Sequence, residues 1–157
     1  MHKITPFLWF DDQAEEAAHF YTSIFKNSKI NTLNRFNDAV PGPKGKTMSV
    51  TFELDGQEFM ALNGGPGHPF TDAISLFVNC ASQAEIDDLW SRLSAGGEEG
   101  PCGWLKDKYG LSWQIVPAQL VELMSDPDSE KARRVTQAML QMKKIDIAAL
   151  ERAYQQG

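Results

Sequence analysis

The sequence has few cysteines, no excess of positive charge and no long apolar run, and each of these shortages removes a class of function. Its two cysteines, Cys80 and Cys102, lie outside any CxxC pair, so neither a zinc knuckle nor a redox pair is indicated. A net charge of −6 does not favour binding to the phosphates of a nucleic acid. No apolar run approaches the roughly 20 residues of a membrane span, and the start lacks the apolar core of a signal peptide. We therefore expect a cytoplasmic protein that binds neither nucleic acid nor membrane.

What the chain does contain is the composition of a single globular domain. Apolar residues make up 42% of the 157 positions and aromatic residues 10%. A chain of this length and composition can bury a substantial core. We therefore expect one domain spanning residues 1–157.

The first part of the chain alternates between apolar and polar residues as strands do, with one helix near its start. Asp12 and Glu15 have the spacing of a capping box and predict that the helix begins just after Asp12. An Asp55-Gly56 turn between two alternating segments is a strong hairpin signal. The predicted strands of this part are 4–10, 31–36, 46–54 and 57–63.

The pattern then starts again, which indicates an internal repeat. The letters Gln-Ala-Glu open the predicted helices at 13–15 and again at 83–85, where Ser82 and Glu85 repeat the capping arrangement. Strands are predicted at 74–78 and 111–116. The resulting organisation is a first module at 4–63, a connector rich in glycine and proline at 64–71, a second module at 72–117 and a helical tail at 118–157. The apolar stripes of the tail must be covered, either by the domain or by a second copy of the chain.

Several separate stretches resemble one known family, in the same order along the chain. They are LWFDDQAEEAAHFYTSIF, NGGPGHPF, AISLFVNC, DKYGLSWQIVP and AMLQMKKIDIAALE. The chain is similar to the PhnB-like branch, often labelled 3-demethylubiquinone-9 3-methyltransferase, of the vicinal oxygen chelate superfamily. That superfamily includes glyoxalase I, the extradiol dioxygenases and the bleomycin- and fosfomycin-resistance proteins. The resemblance implies an α+β fold in which two βαβββ modules form an open, curved, mixed β-sheet around a ligand cavity, with C-terminal helices, in a homodimer.

The resemblance also implies where a metal would bind, and the residues at those positions are poor ligands. Metalloenzymes of the superfamily hold a divalent ion on His, Glu or Gln side chains from the first, fourth, fifth and eighth strands. The corresponding positions here carry Thr5 or Pro6, Ala61, Ala73 or Ser75, and Gln114. One neutral amide cannot supply the three or four ligands that a divalent ion needs. We therefore predict no metal and no other cofactor.

The methyltransferase label is not supported by a cofactor-binding motif. The only G-x-G is Gly65-Pro66-Gly67, and the His68-Pro69 that follows cannot open a regular helix. The sequence therefore predicts no glycine-rich turn whose backbone N–H groups could lie against a methyl-donor cofactor. We do not expect methyl transfer.

Strand alternation selects the residues that would line the cavity if Gln114 points inward. The lining is mostly apolar with a few neutral hydrogen-bonding groups, which suits a small, partly apolar organic molecule. The structural alternative is that the aromatic rings simply fill the sheet interior. The predicted ligand-binding residues are Thr5, Phe7, Trp9, Ala61, Asn63, Ser75, Phe77, Ser112 and Gln114.

Two other functions stay open, as does the question of whether any reaction is catalysed. The chain could be a metal-dependent isomerase, lyase or dioxygenase that uses Gln114 with ligands not recognised here, or an interaction module that docks through a sheet edge or its tail. His68 is a conceivable general base, although a solvated loop histidine is the simpler interpretation. Asp107, between Lys106 and Lys108, is interpreted as part of a solvated hairpin turn.

Overall fold

The computed structural model describes residues 2–156, which divide between Pro69 and Phe70 into two compact units. The boundary falls inside the predicted connector, 64–71. Each unit contains a four-stranded mixed sheet with one helix on it, so the predicted α+β class and the repeated βαβββ pattern are confirmed. We call residues up to 69 unit 1 and those from 70 onward unit 2.

Unit 1 is a sheet with its first helix packed on one face. The strand order is β1-β4-β3-β2, with β1 parallel to β4 and the other pairs antiparallel. The apolar side of the helix is buried against strand residues that include Phe10, Val50 and Phe52. The elements are β1 (Phe7–Phe10), α1 (Ala14–Ile24), β2 (Lys29–Arg35), β3 (Thr47–Leu54) and β4 (Gln57–Asn63).

The start of α1 differs from the prediction. Its N-cap is Gln13, which makes no side-chain cap hydrogen bond, and the Ala14 N–H donates to Asn63 Oδ1 at 2.8 Å. Glu15 is unavailable for a capping box because it accepts a hydrogen bond from the Thr47 hydroxyl. The first helix is therefore capped from the end of β4, by a residue far away in sequence.

Unit 2 repeats this arrangement. The strand order is β5-β8-β7-β6, with β5 parallel to β8, and α2 buries its apolar side against Leu105, Trp113 and Ile115. Here the predicted cap at Ser82 is confirmed, because its hydroxyl accepts from the Glu85 N–H at 3.2 Å. The elements are β5 (Ser75–Cys80), α2 (Gln83–Ser94), β6 (Glu98–Glu99), β7 (Trp104–Lys106) and β8 (Ser112–Pro117).

Three further helices form the tail, which packs on unit 2 itself. They are α3 (Ala118–Met124), α4 (Ser129–Met139) and α5 (Ile147–Gln155). The Gln83 side chain fixes the start of α5, since its Nε2 donates to Ile145 O at 3.0 Å and its Oε1 accepts from the Ile147 N–H at 2.8 Å. The apolar stripes of the tail were expected to be covered either by the domain or by a second copy of the chain, and the structure shows them covered by the domain. The buried cluster that results consists of Val116, Leu120, Val135, Ile145 and Leu150.

The helices are short compared with a bilayer. The longest, α2, has 12 residues, whereas a membrane-spanning helix needs about 20. None of the helices within residues 2–156 is long and apolar enough to cross a membrane.

The two cysteines lie in different environments, and this predicts different reactivity. Cys80 is buried, and its desolvation, together with the negative charge of Glu85, raises the pKa of its thiol to about 12. Since the thiolate is the reactive form, Cys80 in a Cys102→Ser variant should not react with a disulfide reagent at pH 8 until denaturant is added. Titration with Ellman's reagent measures this. Rapid reaction of one thiol in native buffer would contradict it.

Candidate functional site

One face of the unit 2 sheet is covered by α2, and the other carries the predicted polar residues. The strand register pairs Ser75 with Ser112 and Phe77 with Gln114, so these four side chains share a face. Trp113 and Ile115, which alternate with these residues on β8, point to the helix side and are buried there. We call the face opposite α2 the open face of unit 2. The predicted grouping of Ser75, Phe77, Ser112 and Gln114 agrees with this register.

The central feature of the open face is an amide held between two aromatic residues. Gln114 is paired with Phe77 on β5 and with Trp104 on β7, which places their side chains in one row across three strands. We call these three residues the amide row. Gln114 Nε2 donates to Ser75 Oγ at 2.9 Å. No donor within residues 2–156 reaches Gln114 Oε1, so the amide presents a fixed, free acceptor.

A cavity of about 470 Å³ lies beside the amide row. Trp104 and Pro101 give it apolar surface, and Asp72, Glu98 and Lys106 give it charge. Ser112, which is buried, also lines it.

Asp72 is held in place by two donors at this cavity. Ser112 Oγ donates to its Oδ1 at 2.9 Å, and Lys106 Nζ lies 3.4 Å from the same atom. The hydrogen bond from Ser112 and then that from Lys106 lower the pKa of Asp72 below its ordinary value. The carboxylate is therefore ionised at neutral pH, and Lys106 neutralises it.

Sequence reasoning missed the residues that β6 and β7 bring to the open face. The register places Trp104 opposite Gln114, Lys106 opposite Ser112, and Glu98 opposite Lys106. Counting back from Ser112 across the turn at 107–110 would have found Lys106 and then Trp104, because cross-strand partners share a face. Strands of two and three residues carry too little alternation to be recognised without that count.

In unit 1, two of the predicted residues lie on the face opposite α1. Phe7 and Trp9 are paired with Met60 and Leu62 and are 52% and 36% exposed. Thr5 precedes β1, which begins at Phe7 rather than at the predicted Ile4.

The connector packs on the Trp9 ring. The indole N–H donates to Gly65 O at 2.9 Å, and the His68 ring lies 4.5 Å from the Trp9 ring between centroids. A Cβ at Gly64 would lie 2.3 Å from the indole. Glycine at this position therefore permits the close approach, and His68 is an exposed ring beside Trp9.

Ala61 and Asn63 do not share the face of Trp9, which corrects the prediction for these two residues. The parallel register pairs Leu8 with Ala61 and Phe10 with Asn63, and all four point toward α1. Ala61 is fully buried there. Asn63 is occupied by the scaffold, since its Oδ1 caps α1 and its Nδ2 donates to Thr47 O at 3.0 Å.

Asp107 is not a solvated turn residue, which is a second correction. It is 2% exposed, and its carboxylate accepts from the backbone N–H groups of Tyr109 and Leu111 at 2.9 and 3.1 Å. Its other oxygen accepts from the Trp113 indole N–H at 2.9 Å. Asp107 therefore organises the β7–β8 turn and positions β8, on which Gln114 lies.

The donor set does not suit a divalent metal. In the part of the chain that the structure describes, no three His, Cys, Asp or Glu side chains are grouped closely enough to hold an ion. Around Gln114 the neighbouring positions are Phe77, Trp104 and Ser75, and its amide nitrogen already donates to Ser75. An uncharged amide among aromatic rings is a weak site for zinc, manganese or iron.

Comparison with known proteins gives the following similarities. A family model described as 3-demethylubiquinone-9 3-methyltransferase matches residues 2–116. The solved structure of a putative 3-demethylubiquinone-9 3-methyltransferase, a PhnB protein from Bacillus cereus, is 41% identical, with a TM-score of 0.67 over 74% of this chain and 100% of that one. None of the curated proteins matches the sequence significantly.

More distant solved structures share the fold. A protein from Pseudomonas aeruginosa is 22% identical, with a TM-score of 0.62 over 74% of this chain and 98% of that one. The fosfomycin resistance protein FosX from Listeria monocytogenes is 17% identical, with a TM-score of 0.53 over 78% of this chain and 97% of that one. The family match ends at residue 116, so the three tail helices lie beyond it.

Proposed function

The chain belongs to the PhnB-like family described as 3-demethylubiquinone-9 3-methyltransferase, within the vicinal oxygen chelate superfamily, and from this membership we propose that it binds a small, partly apolar organic ligand without a metal ion. The proposed site is the open face of unit 2. The observation that carries the proposal is the amide row, in which the free oxygen of Gln114 lies between Phe77 and Trp104.

The amide row combines shape and polarity in the way that small-molecule sites do. Phe77 is 49% exposed, so its ring offers apolar surface that a ligand could cover. Gln114 is half-buried, and its oxygen offers one oriented acceptor to which a ligand N–H or O–H group could donate. Apolar surface with a few fixed polar atoms is the usual composition of a ligand pocket.

The neighbouring cavity supports the same proposal by giving the ligand room. Its volume of about 470 Å³ falls within the roughly 300–1,000 Å³ typical of small-molecule sites. Trp104 belongs both to the cavity and to the amide row, so one ligand could contact both.

We do not propose methyltransferase activity, although the family name includes it. β4 ends at Asn63 and β5 begins at Ser75, and no helix lies between them. The Gly65-Pro66-Gly67 segment therefore does not open a helix whose N–H groups could approach a methyl donor.

A thermal-shift screen of small aromatic amides and phenols tests the proposal, because a ligand of the folded state raises the melting temperature. We expect bound compounds to lose about tenfold in affinity in Gln114→Leu, since one hydrogen bond is removed. The matched control is Gln137→Leu, the same replacement at an exposed position of α4. Equal affinities for the two variants, or no stabilising compound at all, would refute the proposal.

Elemental analysis separates this proposal from a metal-dependent enzyme. Protein prepared without chelator is expected to contain no stoichiometric zinc, manganese or iron. One equivalent of such a metal, lost in Gln114→Ala, would establish the metal-dependent alternative instead.

The homodimer implied by the family resemblance is part of the same proposal. Light scattering on the full chain should give twice the monomer mass of 17.5 kDa. A monomer mass at micromolar concentration would contradict the homodimer, and the proposed ligand site would still stand.

A further inference from the structure

We propose that the ligand of the open face is a protonated organic amine joined to an apolar or aromatic body. The inference rests on the proposed function, since it names the chemical class of ligand for the same site. Three observations of different kinds point to it: the balance of charge around the cavity, the balance of hydrogen-bond donors and acceptors, and the aromatic wall.

The charge around the cavity is negative. Its charged lining residues are Asp72, Glu98, Glu99 and Lys106. Lys106 lies 3.4 Å from Asp72 and neutralises that carboxylate. No lysine, arginine or histidine among residues 2–156 forms an ion pair with Glu98 or Glu99. Glu99 is paired with Leu105 on the α2 side of the sheet, where its carboxylate accepts a hydrogen bond from the Trp90 indole N–H at 2.7 Å. A cationic group in the cavity would therefore meet the uncompensated carboxylate of Glu98, whereas an anionic group would be repelled by it.

Two side-chain donors of the site are already used by its own groups, whereas two of its acceptor groups have no donor. Gln114 Nε2 donates to Ser75, and the Ser112 hydroxyl donates to Asp72. The Trp104 indole N–H and the Lys106 ammonium group also line the cavity and can still donate. The set of free acceptors on this face consists of Gln114 Oε1 and the oxygens of Glu98. An ammonium group has three donors and no acceptor, so its hydrogen-bonding capacity complements this set.

Trp104 provides the aromatic wall. It is half-buried, lines the cavity and is the cross-strand neighbour of Gln114. A cation within about 6 Å of an indole ring is attracted by the ring quadrupole, and tryptophan is the strongest of the aromatic side chains in this respect. The apolar body of the same ligand could extend toward Phe77, at the other end of the amide row.

The geometry assigns different roles to the two free polar groups. Glu98 lies opposite Lys106, at the outer edge of the sheet, and would set the preference for positive charge. Gln114 lies between the two aromatic residues and would fix the orientation of the ligand. Replacement of Glu98 should therefore lower the preference for a cationic ligand. Replacement of Gln114 should lower the binding affinity of cationic and neutral ligands alike.

The test uses three probes that each carry a phenyl group on a two-carbon chain, 2-phenylethylamine, 2-phenylethanol and 3-phenylpropionate, titrated calorimetrically into the full chain at pH 7 and low salt. We expect the amine to bind about tenfold more tightly than the alcohol, and the carboxylate to bind most weakly. In the Glu98→Gln variant, the ratio of the amine's affinity to the alcohol's affinity should fall several-fold. In the wild-type protein, the same ratio should fall as salt is added. The control is Glu151→Gln, which removes the same charge from an exposed position of α5.

Each outcome separates the inference from the proposed function. An alcohol that binds as tightly as the amine, or a ratio that Glu98→Gln and Glu151→Gln change equally, overturns the amine inference. In that case binding that depends on Gln114 would leave the proposed function standing. If none of the three probes binds and the thermal-shift screen finds no ligand, both are wrong.

Discussion

Asp107→Ala is expected to destabilise unit 2 by about 3–4 kcal/mol, one of the two largest effects that we predict. The substitution removes an acceptor from two backbone N–H groups and from the indole of Trp113. The hydrogen bonds to the Leu111 N–H and to the Trp113 indole are buried, so water cannot readily replace the lost acceptor. Urea denaturation followed by tryptophan fluorescence measures the loss.

Two further variants show whether the carboxylate itself is responsible. Asp107→Asn keeps one oxygen for the backbone N–H groups but directs an amide toward the indole, so we expect an intermediate loss. Lys108→Ala, at the exposed position next to it, should stay within about 0.5 kcal/mol of wild type. An Asp107→Ala protein as stable as Lys108→Ala would show that these hydrogen bonds contribute little.

Removal of residues 126–157 is expected to leave a protein that is insoluble or lacks fixed tertiary structure. The truncation deletes Val135, Ile145 and Leu150 and exposes Val116 and Leu120, which they cover. Each buried aliphatic side chain contributes about 1.5–3 kcal/mol, and the sum is comparable with the whole stability of a small domain. Soluble yield and near-ultraviolet circular dichroism measure the outcome. A truncated protein with unchanged solubility and spectrum would contradict it.

A matched pair of leucines tests the same cluster without a deletion. Leu150→Ala removes a fully buried side chain and should cost about 3 kcal/mol, whereas Leu140, which is 56% exposed in the same tail, should tolerate alanine within about 0.5 kcal/mol. Equal losses for the two would mean that the cluster does not stabilise unit 2.

Local patterns were sufficient to predict the parts of the fold that depend on neighbouring residues. The Asp55-Gly56 turn fixes the β3–β4 hairpin, and the cap at Ser82 fixes the start of α2. Alternation along β5 and β8 correctly grouped Ser75 and Phe77 with Gln114, because each strand has a period of two and the two lie in register.

What could not be predicted depends on contacts between distant segments. The phase of β4 against β1 is set by long-range pairing, so alternation within β4 alone did not reveal that Ala61 and Asn63 face α1. Asp107 stands between two lysines, and only the fold shows that it turns inward to Trp113. Glu98 belongs to a strand of two residues, which has no readable alternation.

The tail helices cover Val116, and this has a consequence for how the family can vary. Val116 lies on the same side of β8 as Gln114, but it is buried because the helices from α3 onward pack over it. A homologue that stopped near residue 117 would expose its counterpart of Val116 to water. Loss of the helices during evolution should therefore be accompanied by a polar substitution at the position of Val116.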